Sequence, residues 1–557
     1  MPKIIWEDSN AVNYSLNDNV SSLILQKRGL SPKELESFLN PNYDSLNDPF
    51  IIPNMKIAVE RIKKAINKNE KIVIYGDYDI DGLSSSALMK DAFIMMGTEV
   101  DLYIPDRFEE GYGLNSQAIK KLKKDGYDLV ITVDCGTTAH EQLDLARNIG
   151  LDIVVTDHHE PDGNAPAGAV ACVNPKLEID NQLNDLAGVG VAFYLIRALQ
   201  QKYELIKPGQ EKWLLDLVAL GTVCDVVPLT GDNRILTSFG LKVMKKTKRA
   251  GLVSLAEKSS VDIAKISEDD LGFKIGPRLN AAGRLTHAQN ALDVLIARSR
   301  AQADEHSQVL NELNTKRQES TKDIFVEANK IAKKYKKDPI LVLSSADWSH
   351  GVIGIVASRI SEKWHKPVIL LQELGEYSKG SARSYGSFSI IDAIRDSSDL
   401  IDTFGGHNFA AGLKLRTDRL DEFRYRINRY TIENMDAKNN FKIIDIGLDL
   451  GTNSPSLSIY DDVAQLAPFG NSNRKPYMRG SYKVSEIRLV GSDASHLRLK
   501  LKSNDGAEHV AIGFGKADEF SELEVGQEIE IAFELGENIW MDKRTHQIEI
   551  VDIVTKE

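Results

Sequence analysis

Residues 152–163, DIVVTDHHEPDG, end an apolar run on an aspartate and two adjacent histidines, Asp157, His158 and His159. Carboxylate and imidazole at the end of a buried strand are the donors of a divalent-cation site, provided the rest of the chain supplies more of them. A second stretch, KIVIYGDYDIDGLSSSAL, alternates Asp77, Asp79 and Asp81 just after an apolar strand. It is not an EF-hand calcium loop, because the twelfth position counted from Asp77 is Leu88 and not a bidentate Glu. LVITVDCGTT sets Asp134 at another strand end, and LVALGTVCDVVPL places Asp225 in a fourth apolar setting, where an unpaired carboxylate is costly to bury. Taken singly, the first motif also reads as a solvated turn whose aspartates cap a helix. Taken together, carboxylates converging from four such endings repel one another unless divalent cations neutralise them. A binuclear metal site removes that conflict.

The elements that must bring these groups together are legible in the apolar pattern. From about 70 to 230, KIVIYGD, TEVDLYIPD, YDLVITVD and LDIVVTD read as strands ending in an acid, with helical stretches such as SSSALMKDAFIMMG and NSQAIKKLKKDG between them. That is a parallel α/β pattern, in which ligands collect at the carboxyl ends of the strands. Gly82 is expected to permit a tight turn into the following helix. Upstream, SPKELESFL carries a capping box from Ser31 to Glu34 with Pro32 at the first helical position. Residues 234–335 look helical, and Asp293 to Tyr335 lacks proline and glycine throughout, which predicts a long solvated connecting helix. DPILVLSSADWSHG restarts an α/β pattern to about 435, and residues 440–557 alternate with period two, as in a small β-barrel or sandwich. The expected division is an N-terminal segment (1–50), a catalytic α/β domain (51–235), a helical region with the connecting helix (236–335), a second α/β domain (336–436) and an OB-like domain (437–557).

A chain of 557 residues is too long for one core, and its composition is that of an ordinary globular protein. It contains no eighteen-residue apolar run and no signal-peptide core at its start. Its three cysteines form no CxxC pair, so a reducing cytoplasm fits and a membrane does not. The net charge of −12 argues against a nucleic-acid partner. Local charge argues the other way: Asn471 to Lys502 holds eight Lys or Arg against two acids. In HLRLKLK the leucines alternate with Arg498, Lys500 and Lys502, and with Tyr477 and Tyr482 this stripe suits an OB-like barrel tracking a single strand. A solvated basic strand face is the plainer alternative.

GDYDIDG, VDCGTT, TDHH and GTVCDVVPL, in that order, resemble the four motifs of the DHH phosphoesterase superfamily. IPDRFEEGYGLN, LAGVGVAFYL, IGPRLNAAGR, DWSHGVIGIVASRI and GSARS extend the resemblance, over essentially the full length, to the RecJ exonuclease family. GGHNFAAG (405–412) is similar to the glycine-rich signature of the accompanying DHHA1 domain. The resemblance implies that Asp134 bridges two ions, that Asp81, His158 and Asp225 complete one, and that Asp79 belongs to the other. Many DHH proteins carry a histidine where this chain has Tyr75, so the second ion is expected either to take Asp77 in its place or to keep extra water. The cofactor implied is a pair of divalent ions, Mn²⁺ or Mg²⁺. His159 then faces the substrate phosphate, and Asp157 orients a histidine from behind.

Arg107, Arg278, Asn280, Arg284, Ser381 and Arg383 supply phosphate donors, and Gly406 and His407 a close approach to the strand. Any single arginine among them can equally be a structural ion-pair partner. The resemblance implies a pocket for a 5′ phosphate between the two α/β domains. The implied activity is 5′→3′ hydrolysis of single-stranded DNA to mononucleotides in repair and recombination, by a monomer that works with a helicase and a single-strand-binding protein. The alternatives are a DHH phosphodiesterase acting on short RNA or cyclic dinucleotides, which is typically shorter and lacks the basic tail, and a scaffold on a decayed domain.

Overall fold

Short runs rich in Val and Ile build the first sheet, and their register decides where the acidic residues emerge. The computed structural model describes residues 4–555 apart from residues 10, 16–17, 107–109, 112, 436–440, 442, 492–493 and 542. Arg107 therefore lies outside the described residues. The chain forms two bodies, one comprising residues 6–276, 292–304 and 444–557, the other residues 1–5, 277–291 and 305–443.

In the first body, five strands lie in the order Asp101–Tyr103, Ile72–Gly76, Leu129–Val133, Asp152–Thr156 and Ala171–Val173, every neighbouring pair parallel. Ile72–Gly76 and Leu129–Val133 are buried at every position, as strands covered on both faces must be. Gly76, Val133 and Thr156 end in one row, so Asp77, Asp134 and Asp157 leave the sheet side by side. Asp225 departs from the expected strand-end position. The preceding run is the α-helix Leu215–Cys224, and Asp225 is its C-cap. Its middle is apolar or small on every side, so no periodicity distinguishes a buried helix from a buried strand.

The second body holds a sheet in the order Ile401–Gly406, Ala410–Arg416, Tyr377–Arg383, Val368–Leu374 and Leu341–Ser345. Its pairs are antiparallel except the last, which is parallel. The helix Arg300–Ala332 joins the two α/β domains, and its 33 residues span about 50 Å. It is less solvated than its charge implies: Ile324, Ala328 and Ala332 are buried against Leu341, Val352 and Val356. The charged residues line the rest of its circumference.

Residues 477–555 close into a five-stranded barrel in the first body. Tyr477–Val490, His496–Lys502, Glu508–Gly513, Lys543–Thr555 and Glu528–Trp540 pair in turn, and the last pairs back to the first. Leu497, Leu499 and Leu501 point into its core, as their alternation predicts. Tyr482 does too, at 3% exposure, so it is a core residue and offers no platform to a base. The start of the chain belongs to the same assembly. Val12–Asn13 pairs in parallel with Ile443–Asp449, Val20, Ile24 and Leu25 enter the barrel core, and Trp6 Nε1 donates to Asp552 at 2.8 Å. No described helix is long and apolar enough to cross a membrane.

Arg234 ties this barrel to the helices beneath the first sheet. At 3% exposure its guanidinium donates to the carbonyls of Phe38 (3.0 Å), Leu466 (2.9 Å), Ala467 (2.9 Å) and Pro468 (3.4 Å). Burial lowers its pKa to about 10, so it remains a cation at neutral pH, satisfied by carbonyl dipoles. Arg234→Ala should leave these acceptors unpaired and cost about 3 kcal/mol, read as a lower urea midpoint with unchanged slope. Arg234→Lys should recover only part of it, because an ammonium cannot reproduce the planar fork.

Candidate metal centre

Asp77 follows directly on its strand and is 1% exposed, with no hydrogen-bond partner for Oδ1. Asp79 is the N-cap of the helix Ile80–Met95 and accepts from Asp81 N (2.9 Å) and Gly82 N (3.1 Å). The capping role and the site role thus fall on one residue. Asp81, two residues on, is buried and takes the first amides of the helix Gly188–Tyr203: Gly188 N at 2.6 Å on Oδ2 and Val189 N at 2.9 Å on Oδ1. A helix N-terminus stabilises a carboxylate there. Asp134 sits in the left-handed region at φ 62°, a conformation that Asp tolerates better than most residues. Neither of its oxygens accepts a hydrogen bond, although His158 Nε2 stands 3.2 Å from Oδ1.

The ligand atoms of Asp81, His158 and Asp225 lie within 4.8 Å of one another, as do those of Asp77, Asp79 and Asp134 and those of Asp134, His158 and His159. Asp77 therefore groups with Asp79 and Asp134. Tyr75, at the position where many DHH proteins have histidine, is fully buried, stacked on Tyr103, and donates to Gly113 O at 2.9 Å. Crowding shows in the electrostatics. Burial and then Asp79 push Asp77 up to about 8, burial and then Asp225 push Asp81 up to about 7, and burial and then Asp79 push Asp225 up to about 7. Asp134 is driven well above the carboxylate range by burial and by Asp81. Unpartnered buried carboxylate oxygens facing each other fit a divalent cation, and the oxygen-rich donor set with one imidazole fits Mn²⁺ or Mg²⁺. Cys135 and Cys224 border the cluster, but burial raises both thiols, which keeps them protonated and out of the donor set.

Asp157 belongs to the surroundings of the cluster. Its Oδ1 bonds His159 Nδ1 at 2.7 Å and accepts from His158 N at 2.8 Å, and its Oδ2 accepts from Thr137 N at 2.8 Å. Burial alone would raise it, yet the His159 contact holds it down at about 2. The same contact outweighs the burial of His159 and raises that imidazole to about 9. His158, deeper, is lowered by burial and kept neutral, the form that ligates. Thus Asp157 orients His159, and His158 meets Asp81, Asp134 and Asp225.

Close approach is the requirement that motif reading missed. A Cβ on Gly188 would lie 2.7 Å from Asp134 Oδ1, one on Gly221 would lie 2.8 Å from Asp81 Oδ1, and one on Gly82 would lie 2.5 Å from Asp77 O. Gly82 is inside a helix, so its role is space and not the expected turn. Buried Asn174, which follows the fifth strand, donates to Thr137 Oγ1 (2.8 Å) and His159 O (2.9 Å). A polar residue at one more strand end was its only signal.

The phosphate candidates lie in the second body. Arg383 Nε donates to Ser358 Oγ at 3.1 Å, and its Nη1 to Ser381 Oγ at 3.0 Å. Among the described residues Arg383 forms no ion pair, and burial lowers its pKa. Arg278 donates to Asn311 Oδ1 (3.0 Å) and Arg284 to Gly351 O (3.2 Å); Asn280 shares their helix, Gly276–Leu285. Gly406 takes φ 145°, with Ala410 O 2.4 Å from where a Cβ would stand, and it delivers exposed His407 to the hairpin tip. On the barrel, Arg498 and Lys500 share one carboxylate, Glu486, with Arg488, so the stripe is less basic than its sequence. Lys502 is exposed at the end of the same strand.

Comparison with known proteins bears on the domains and the fold. Residues 71–222 match the family model "DHH family, N-terminal domain", residues 337–433 the "DHHA1 domain" and residues 444–552 the "RecJ OB domain". The single-stranded-DNA-specific exonuclease RecJ of Bacillus subtilis is 35% identical over 97% of this chain and 68% of its own length. That of Escherichia coli is 34% identical over 89% of each. The crystal structure of RecJ in complex with Mn²⁺ from Thermus thermophilus superposes with a TM-score of 0.83 at 28% identity, covering all of this chain and 80% of that one. A Mg²⁺ complex from the same organism gives 0.76 at 26% identity, covering all of this chain and 79% of that one.

The raised carboxylates set the sign of the pH response. Asp77, Asp81 and Asp225 hold protons more tightly folded than unfolded, so the metal-free fold loses stability as pH rises from about 4 through about 8. His159, also raised, acts in the same sense as pH climbs toward about 9. The melting temperature of metal-free protein should therefore fall from pH 5 to pH 8. Mn²⁺ should raise it more at pH 8 than at pH 6, where protons must first be displaced. Equal increments at both pH values would contradict this electrostatic account. The ordered motifs, the three domains and the full-length likeness together place the chain in the RecJ family of single-stranded-DNA-specific exonucleases.

Proposed function

We propose that the chain is a metal-dependent exonuclease that hydrolyses single-stranded DNA 5′→3′, releases 5′-mononucleotides and serves DNA repair and recombination. The observation that carries this reading is the gathering of Asp77, Asp79, Asp81, Asp134, His158 and Asp225 into overlapping clusters, with unsatisfied buried oxygens on Asp77 and Asp134. Its relatives, named single-stranded-DNA-specific exonucleases, support it. In this reading residues 51–235 are the catalytic domain, 236–335 the helical connection, 336–436 the DHHA1 domain and 437–557 the nucleic-acid-binding barrel, preceded by the segment 1–50. The protein acts as a cytoplasmic monomer, with a helicase and a single-strand-binding protein as partners.

Asp134 would serve both cations, Asp81, His158 and Asp225 would hold one, and Asp77 and Asp79 would hold the other. Divalent cations bound there supply Lewis acidity toward a phosphodiester and make water a nucleophile at neutral pH. Asp157 anchors His159 through Nδ1, so the proton on Nε2 is the one presented to a phosphate oxygen or to the departing 3′ oxygen. Water adds to phosphorus as the P–O3′ bond breaks. One of its hydrogens ends on the 3′ hydroxyl of the released nucleotide, and its oxygen stays on the new 5′ phosphate of the shortened strand.

That phosphate is what Arg383 and Ser381 bind. A half-buried guanidinium without a carboxylate partner among the described residues has charge left for an anion. Recognition of a terminal phosphate sets the polarity. Arg278, Asn280, Arg284, Gly406 and His407 contact the following nucleotides, as does Arg107 by its motif. Arg498, Lys500 and Lys502 track the distal backbone, with Glu486 moderating the attraction.

Asp134→Ala should abolish Mn²⁺-dependent digestion of labelled single-stranded DNA while leaving the far-ultraviolet circular dichroism unchanged; near-normal turnover would sink the two-ion assignment. Preference for short RNA or a cyclic dinucleotide in the same assay would favour the alternative phosphodiesterase. Arg383→Ala should weaken binding of 5′-phosphorylated ends by about 2 kcal/mol, roughly thirtyfold, and leave 5′-hydroxyl ends little affected. An unchanged preference between the two ends would remove Arg383 from the phosphate site.

A further inference from the structure

Immediately after Asp225 the backbone does something that its sequence resists. The residue that ends a helix in the left-handed conformation is usually Gly or Asn, because a β-branched side chain is strained there. Here it is Val226, at φ 61° and 64% exposed, so its side chain gains little from burial. Something else must hold that conformation.

What holds it comes from the barrel's approach loop. Asn471 Nδ2 donates to Val226 O at 2.9 Å, and Leu229 N donates to Asn471 O at 2.9 Å, so one residue brackets the turn with its side chain and its backbone. Gly470 lies so close that a Cβ would stand 2.7 Å from Leu229 Cδ1. Phe469 packs on the barrel core, and its N–H donates to the buried Glu268 carboxylate at 2.7 Å. From the other side, Cys224 is wedged against Gly276, where a Cβ would lie 2.8 Å from Sγ. Asp225 is thus set between two backstops, and its Oδ2 comes 3.6 Å from His158 Nε2.

We propose that the Phe469–Asn471 loop is a positioning clamp for Asp225, so that the barrel completes the metal centre besides binding DNA. The proposal rests on the reading of Asp225 as a ligand. Asn471 touches neither metal nor substrate in this scheme; it acts by keeping Val226 in its strained conformation and hence Asp225 at the cluster. Strain next to a ligand and a contact that restrains it are one device: without the restraint, Val226 relaxes toward negative φ and Asp225 moves with it.

The experiment is Mn²⁺ binding to the full-length metal-free protein, followed by electron paramagnetic resonance of the free ion. Four forms are compared: wild type, Asn471→Ala, Asn471→Ala with Val226→Asn, and Asp225→Asn. Asn471→Ala should raise the dissociation constant of the affected ion about tenfold. Its metal-free melting temperature should stay within a few degrees of wild type. Val226→Asn, which tolerates the left-handed conformation, should bring the double variant back to within about twofold of wild type. Wild-type affinity in Asn471→Ala alongside lost affinity in Asp225→Asn would overturn the clamp alone. Wild-type affinity in Asp225→Asn would overturn the ligand reading and the clamp with it. A loss in Asn471→Ala that Val226→Asn fails to recover would assign the loop to general stability and reject the positioning role.

Discussion

Five aspartates, Asp77, Asp79, Asp81, Asp134 and Asp225, crowd one region, three of them buried and Asp79 and Asp225 half-buried, and the arrangement of the first body follows from that crowding. Like charges at such separations in a medium of low polarity repel strongly, and each buried oxygen without a donor adds its own desolvation cost. The fold compensates only in part. Asp81 has a helix N-terminus and Asp79 its own helix to cap, but Asp134 and one oxygen of Asp77 have no donor. The uncompensated remainder is what makes the cluster a cation site, since a fold that satisfied every oxygen would have nothing left to offer a metal.

Holding the aspartates so close forces decisions elsewhere. Helices must approach the sheet edge more nearly than a methyl group allows, which explains Gly82, Gly188 and Gly221 better than any turn does. The two histidines at the same strand end are divided by depth. His158 is buried and neutral, whereas His159 keeps its contact with Asp157 and is raised to about 9. One aspartate makes the adjacent imidazoles chemically different.

The net charge of −12 and the proposed nucleic-acid substrate cease to conflict once charge is located. Much of the acidity is spent at the centre, on helix caps and on surface ion pairs. Arg383 is left without a carboxylate partner among the described residues, while the barrel stripe is tempered by Glu486.

The gathering of the acidic residues and His158, the parallel sheet, the barrel and the long helix were legible in the chain, because each rests on local pattern: an apolar run ending in an acid, period-two alternation, or a stretch without breakers. Asp157 as orienter was also within reach. Three things were not. Asp225 read as a strand end, since a helix buried all round has no period. Tyr482 read as a platform, since alternation places a residue on a face but does not say which face is the inside. The joining of Val12, Asn13, Val20, Ile24 and Leu25 to the barrel, the four carbonyls around Arg234 and the hold of Asn471 on Val226 link positions hundreds of residues apart. The sequence by itself determined which chemistry is present, because donor types and their strand-end spacing are local. Only the tertiary structure decided how the donors are held, because backbone carbonyls and absent methyl groups leave no mark in residue identity until distant segments are brought together.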